Sequence, residues 1–349
     1  MKAVRTPFRP HPLVPGGTAQ TLLGALLPAP DADYRAERHF VDLPDGDRLV
    51  LHDDCPAGWQ PADKAALLVH GLGGCHGSPY MVRIAAKLND AGVRAFRLDL
   101  RGCGAGERHA RGGAHGGSWD DLRAAVDHLG RVAPGAGVEL VGFSLGGSLA
   151  LNLAGRSSRR PCTNLTGVMA VCPPVDLHAV DASFRRGAGR FYSRYFARMM
   201  WRQIRRRLRE MPNPPHVDTS RTPRHIRELD EQVTAPFHGF RDAAHYYDET
   251  SALPHLTRIT TPTRIIVSAD DPVIPITTLL RAPRSGAVDI MVTRSGGHLG
   301  FLGGPGGLLG ARNDDPDTRW IDWRVLDWVC RDTPGRRGVR HAGAISKPR

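Results

Sequence analysis

The sequence predicts a mostly parallel, doubly wound α/β fold, on three observations. Short apolar, β-branched runs alternate with amphipathic helical runs, the pattern of a sheet with crossover helices on both faces. His70, Arg101, Ser144, Pro173 and Asp271 each fall just past such a run, at the edge where a doubly wound sheet gathers its ligands. The alternation also stops from about 176 to 256 and then resumes, as it would for an insertion lying over that edge.

Residues 1–36 are expected to be an extended N-terminal arm, 37–333 the folded domain, and 334–349 a basic, disordered tail. Phe40 to Leu43 and Leu49 to Leu51 flank Pro-Asp-Gly at 44–46 and read as a β-hairpin. Ala65 to His70 is a buried strand running into Gly71-Leu72-Gly73-Gly74, and Met81, Ile84, Ala85 and Leu88 share one helix face. Val93 to Leu100 is the next strand. Ser118 stands where a cap would, before a helix that keeps Leu122, Ala125, Val126 and Leu129 in register. Strands follow at 137–141, 167–172, 263–268 and 290–293, with helices at 147–154 and 320–329. The insertion is rich in Arg, Tyr, Phe, Met and Trp and broken by prolines. It reads as a helical cap, because a long structureless loop is implausible in a compact domain.

Bulk properties narrow the function. The 349 residues carry a net charge of +12 and are 41% apolar. No run approaches the roughly 18 apolar residues of a membrane span, and the N-terminus lacks a signal peptide, so a cytoplasmic location is expected. The six cysteines are scattered, which suits reduced thiols. No H-E-x-x-H, P-loop or complete Gly-x-Gly-x-x-Gly occurs, so neither a metal nor a nucleotide cofactor is expected. Nucleic acid is not an expected partner either.

The chemistry centres on Gly142-Phe-Ser-Leu-Gly-Gly147. A serine between glycines at a strand-to-helix junction is a nucleophile elbow, its hydroxyl thrust clear of the sheet. A serine needs a base, and the base needs an acid to orient it. Chain order places the acid next, in Ser268-Ala-Asp270-Asp271-Pro272, where Asp271 is favoured and Asp270 is its rival. The base follows as His298, in the glycine-bracketed Gly296-Gly-His-Leu-Gly300. Backbone amides of Leu145 and Leu72 are the expected oxyanion donors. His70 is expected to shape that loop rather than react, and Gly73 and Gly74 to let it approach the substrate.

These stretches resemble the α/β-hydrolase superfamily and, more narrowly, the YheT-like esterase family, relatives of animal α/β-hydrolase-domain lipases. The resemblance rests on His70-Gly-Leu-Gly-Gly, Ser78-Pro-Tyr80, Arg101-Gly-Cys-Gly, the elbow, Asp270-Asp-Pro272 and Gly296-Gly-His-Leu-Gly-Phe301. Ile226-Arg-Glu-Leu-Asp230 and Phe237-His-Gly-Phe240 extend it into the cap. It implies an α/β-hydrolase fold, Ser144, Asp271 and His298 as a triad, and hydrolysis of medium-chain or acylglycerol esters. The chain departs from the family at Gly74-Cys75-His76 and lacks the membrane anchor of the animal relatives.

Ten arginines fall between Arg185 and Arg209. Arg186, Arg190, Arg194, Arg198 and Arg202 recur every four residues, with Tyr192, Tyr195, Phe196 and Met199 expected on the opposite face. Such a stripe is either a solvated face or a contact with anionic membrane. The expected activity is serine carboxylesterase. Acyl transfer or perhydrolysis at the same site, or a non-catalytic binding scaffold, are the alternatives.

Overall fold

Nine strands form one sheet in the computed structural model, which describes residues 4–5, 8–27, 35–157, 160–211, 213–214, 216–304 and 315–331. They are β1 (Val4–Arg5), β2 (Glu37–Asp42), β3 (Arg48–Asp54), β4 (Ala65–Val69), β5 (Arg94–Asp99), β6 (Val138–Phe143), β7 (Leu165–Val171), β8 (Thr263–Ser268) and β9 (Val288–Thr293). Side by side they run β1-β9-β8-β7-β6-β4-β5-β3-β2. The β2–β3 hairpin and the β3–β5 pair are antiparallel; every other neighbouring pair is parallel. The hairpin turns at Gly46, whose φ of +88° only glycine adopts readily. From β4 the chain steps to β5 on one side and returns to β6 on the other. Chain order therefore reverses between β4 and β6, and this reversal opens the crevice in which such sheets bind ligands.

The helices are α1 (Gly17–Leu26), α2 (Pro79–Asp90), α3 (Trp119–Val132), α4 (Leu145–Arg156), α5 (Leu177–Phe184), α6 (Gly189–Glu210), α7 (Ile226–Leu229), α8 (Ala235–Phe237), α9 (Ala243–Thr250), α10 (Thr277–Arg281) and α11 (Trp320–Val329). Successive strand residues feed opposite faces, as the two-residue period of a strand requires. Leu67, Leu140 and Ile265 pack with Leu122, Leu129 and Leu149 of α3 and α4. Their neighbours Leu68, Val141 and Ile266 pack with Met81, Ile84, Trp320 and Val329 of α2 and α11. The two helices on that second face are joined by an ion pair from Arg83 to Asp322, whose side chain is fully buried.

Helices α5 to α9 fill the insertion between β7 and β8. Along α6, Arg190, Arg194, Arg198 and Arg202 are exposed while Tyr192 and Trp201 are buried. Tyr195 departs from the expected pattern: it lies 55% exposed beside the arginines, as does Phe191 at 62%. A 22-residue helix drifts against a four-residue repeat, since 3.6 residues make a turn, and this carries Tyr195 round to the solvent side.

Two further expectations are corrected. Residues 17–26 of the arm are helical, not extended, with Gly17 and Gly24 packed against Asp270 and Gly300 in the loops after β8 and β9. Ser118 makes no cap bond on α3; its Oγ accepts from the His115 amide at 3.1 Å instead. Gly73 lines the cavity beside Leu72 at a φ of +70° that favours glycine, and a Cβ there would stand 2.3 Å from Met199 Cε of α6. The basic tail at 334–349 lies outside the described residues.

Candidate active site

The tight turn after β6 shapes the site. Ser144 takes φ +51°, a strained conformation that persists only where its surroundings enforce it. They do so here: a Cβ on Gly142 would lie 2.2 Å from Gly146 O, and one on Gly146 2.5 Å from Val69 O. The turn leaves Ser144 at the mouth of α4, whose first residue is Leu145.

His298 reaches Ser144 from the loop after β9. Its Nε2 lies 3.0 Å from Ser144 Oγ, and its Nδ1 lies 2.9 Å from Asp271 Oδ2. A carboxylate only accepts, so Nδ1 carries the proton and Nε2 is left to accept from the serine hydroxyl. Asp271 is held in turn, its Oδ1 accepting from the Val273 and Ile274 amides at 2.8 and 2.9 Å. The neighbouring Asp270 points elsewhere, accepting from Ser268 Oγ and from the Gly297 amide at 2.9 Å. Asp271 meets the histidine; Asp270 ties its loop to β8.

Two sets of contacts hold these loops. His70 Nδ1 donates to Gly71 O at 2.7 Å and its Nε2 accepts from the Leu100 amide at 3.2 Å. Full burial lowers its pKa, which keeps the ring neutral in this bridge. The Gly71 amide donates to Tyr80 Oη at 3.0 Å. His76 explains part of the departure at 74–76: its amide and Nδ1 both meet the buried Asp99, at 2.7 and 2.8 Å. Burial works to raise the Asp99 pKa, yet hydrogen bonds from His52 and His76 hold it well below the usual carboxylate range. The loop is pinned at both ends.

Sequence reasoning missed α1 altogether. The His298 amide donates to Thr21 Oγ1 at 2.8 Å. Glycines let the two backbones touch: a Cβ on Gly17 would lie 1.9 Å from Asp270 O, and one on Gly300 2.2 Å from Gln20 O. The Gly-Gly-His-x-Gly motif was itself the signal of a close approach, but not of its partner. Among the described residues four non-glycines have positive φ: Ser144, Cys172, Leu299 and Phe301. All lie at the strand ends around His298, where strain is stored when geometry matters.

Among the described residues three groupings bring potential metal ligands within 4.8 Å of one another: His52–His76–Asp99, Cys172–Asp271–His298 and, away from the site, Glu37–His39–Asp53. In the first, the histidine rings stack at 3.5 Å and 12°, and His52 Nε2 and His76 Nδ1 both meet Asp99 Oδ2, at 2.9 and 2.8 Å. In the second, Asp271 and His298 are already bonded as described.

Residues 66–311 match the model of the alpha/beta hydrolase family. The chain belongs to that family. Among the proteins this hydrolase resembles, YheT of Escherichia coli, named as a candidate esterase, is 32% identical over 296 residues, 83% of either chain. The monoacylglycerol lipase of Saccharomyces cerevisiae is 26% identical over 72% of this chain and 57% of its own. This hydrolase thus spans little more than half of the yeast protein. In three dimensions, alpha/beta hydrolase GrgF of Penicillium sp. sh18 superposes with a TM-score of 0.53 at 19% identity, over 84% of this chain and 98% of its own. The hydrolase is of the esterase- and lipase-like kind.

Two cavities meet at the elbow. One, of 130 Å³, is lined by Ser144 and by apolar cap residues such as Val180, Phe184, Phe196 and Met200. The other, of 90 Å³, lies along Gly71, Arg101, Gln203 and Arg207. Leu72 and Leu145 line both.

Proposed function

We propose that this protein is a serine carboxylesterase acting on short- or medium-chain acyl esters or acylglycerols, with Ser144, His298 and Asp271 as its triad. The observation that carries the reading is the unbroken relay Asp271–His298–Ser144 at 2.9 and 3.0 Å. Ser144 Oγ attacks the ester carbonyl while its proton passes to His298 Nε2. Asp271 holds the Nδ1 proton and so stabilises the imidazolium. The tetrahedral oxyanion is held by the amides of Leu145, at the positive end of α4, and Leu72. Support for Leu72 comes from Gly71, whose amide is already given to Tyr80. The intermediate collapses, and the leaving alcohol takes the proton from His298. Water then repeats the sequence on the acyl-enzyme, releasing the acid and restoring Ser144.

The apolar 130 Å³ cavity at Ser144 suits the acyl chain. Hydrolysis of p-nitrophenyl esters of increasing chain length, with Ser144→Ala as control, tests the reading. Activity is expected to rise and then fall with chain length, and to vanish in the variant.

A second reading concerns location rather than chemistry. Leu22, Leu26 and Leu27 of α1 and its end are exposed at 44, 75 and 40%, as are Phe191 and Tyr195 among the α6 arginines. Apolar side chains set among cations suit a peripheral contact with an anionic membrane. Among the described residues no helix is long and apolar enough to cross one. Sedimentation with anionic vesicles is expected at low salt and weaker at physiological salt. No sedimentation in either buffer removes the membrane reading.

A further inference from the structure

The 90 Å³ cavity contains a cation for which the reaction above has no use. Arg207 is only 8% exposed and lines that cavity beside Leu72 and Leu145. Its Nη2 donates to Ala110 O and Gly112 O at 2.8 and 2.7 Å, while its Nε has no hydrogen-bond partner among the described residues. No carboxylate there forms an ion pair with it: Glu107 pairs with Arg206, and Asp47 with Arg101. Gly102 makes room for it, since a Cβ at that position would stand 2.5 Å from Nη1.

A buried charge is costly unless paired. Among the described residues no carboxylate forms an ion pair with Arg207, so its surroundings fit a ligand that does. Arg111 and the ion-paired Arg101 also line the cavity, beside the uncharged Gln203 and His238, and among the described residues no Asp or Glu does. The acyl-side cavity is mainly apolar, and the two carboxylates in its wall are engaged, Asp181 with Arg185 and Arg227 and Asp230 with Tyr247. The volume of 90 Å³ is several times the about 10–15 Å³ that one water needs, room enough for a carboxylate or phosphate on a short stem.

We propose that this cavity is a subsite for an anionic group, carboxylate or phosphate, carried on the alcohol portion of the ester. Arg207 is its specificity-determining residue. The inference rests on the serine-esterase reading, because the shared leucines are its oxyanion donors. It goes further in assigning an anionic preference to the alcohol half of the substrate and an apolar one to the acyl half.

The test compares butyryl esters of glycerol, glycerol 3-phosphate and glycolate, followed by acid release. The wild-type enzyme is expected to show a higher kcat/KM on one or both anionic esters than on the glycerol ester. Arg207→Gln is expected to lower that anionic-to-neutral ratio about tenfold to hundredfold, as for loss of a charge-assisted hydrogen bond, with Arg207→Lys in between. Equal preference in the wild type, or an equal loss on all three esters in Arg207→Gln, overturns the proposal. Calorimetric titration of Ser144→Ala gives a readout without turnover. Glycerol 3-phosphate is expected to bind and glycerol not to; inorganic phosphate binding as tightly as its glycerol ester shows a free-anion site and overturns the substrate role. Failure of every ester in the wild type contradicts the esterase reading, while the titration still decides for or against an anion site.

Discussion

Asp270 and Asp271 are adjacent carboxylates separated by what their oxygens meet. Asp271 has one oxygen on His298 and the other on two amides; Asp270 bonds Ser268 and the His298 loop. Asp271→Asn is expected to lower kcat by about 10⁴, the order known for loss of a triad acid, measured with a soluble p-nitrophenyl ester. Asp270→Asn is expected to act mainly on stability, by about 1–3 kcal/mol for a buried polar contact disturbed, measured by urea denaturation. Asp230 gives a pH signature. Burial raises its carboxyl to about 6 despite a hydrogen bond from Tyr247 Oη. The folded state therefore keeps this proton longer than the unfolded chain does. Stability contributed here is present below the unfolded value of 3.8, is lost as pH rises through about 6, and the penalty is complete above that. Asp230→Asn is expected to remove this slope in a melting-temperature series from pH 4 to 8.

Among the elements, α1 most clearly governs the chemistry from outside the sheet. It fixes the His298 loop through Thr21, and through Gln20, which bonds Val14 O, Leu302 O and the Leu302 amide. Gly17→Ala drives a Cβ into Asp270 O and must shift this contact. A misplacement near 1 Å costs on the order of 10² in rate, so kcat is expected to fall at least tenfold while the sheet still folds, as circular dichroism would show. Unchanged kcat would make α1 a bystander. On the cap side, His115 and His238 stack at 3.8 Å, and burial lowers their pKa values to about 3 and about 4. Both stay neutral in the fold. Stability is thus full above 6.5 and lost as pH falls from there toward 4. His238→Phe is expected to flatten that acid limb in a thermal-melt series.

Across the whole molecule, legibility followed the range of the interactions. The strands could be read because each buries both faces and so requires a short apolar run, as in Ala65–Val69 and Val138–Phe143. Ser144 and His298 could be read because glycines announce a crowded backbone. Asp271 over Asp270 could be favoured but not decided, since the choice depends on where two oxygens point. Thr21 and Arg207 carry no local signal: their partners lie distant in sequence, and a lone threonine or arginine looks the same wherever it points. The cap was legible as helical but not in facing, which the misplaced Tyr195 illustrates. The charge was legible as a segment. Its division into an exposed stripe and one buried arginine was not.

The relay through His298 to Ser144 is the central claim, and covalent capture tests it most directly. A fluorophosphonate reacts with a serine whose hydroxyl is activated by a base. One adduct per chain is predicted, mapped by peptide mass spectrometry to Ser144, and lost in both Ser144→Ala and His298→Ala. An adduct on another residue, or undiminished labelling in Ser144→Ala, would contradict it.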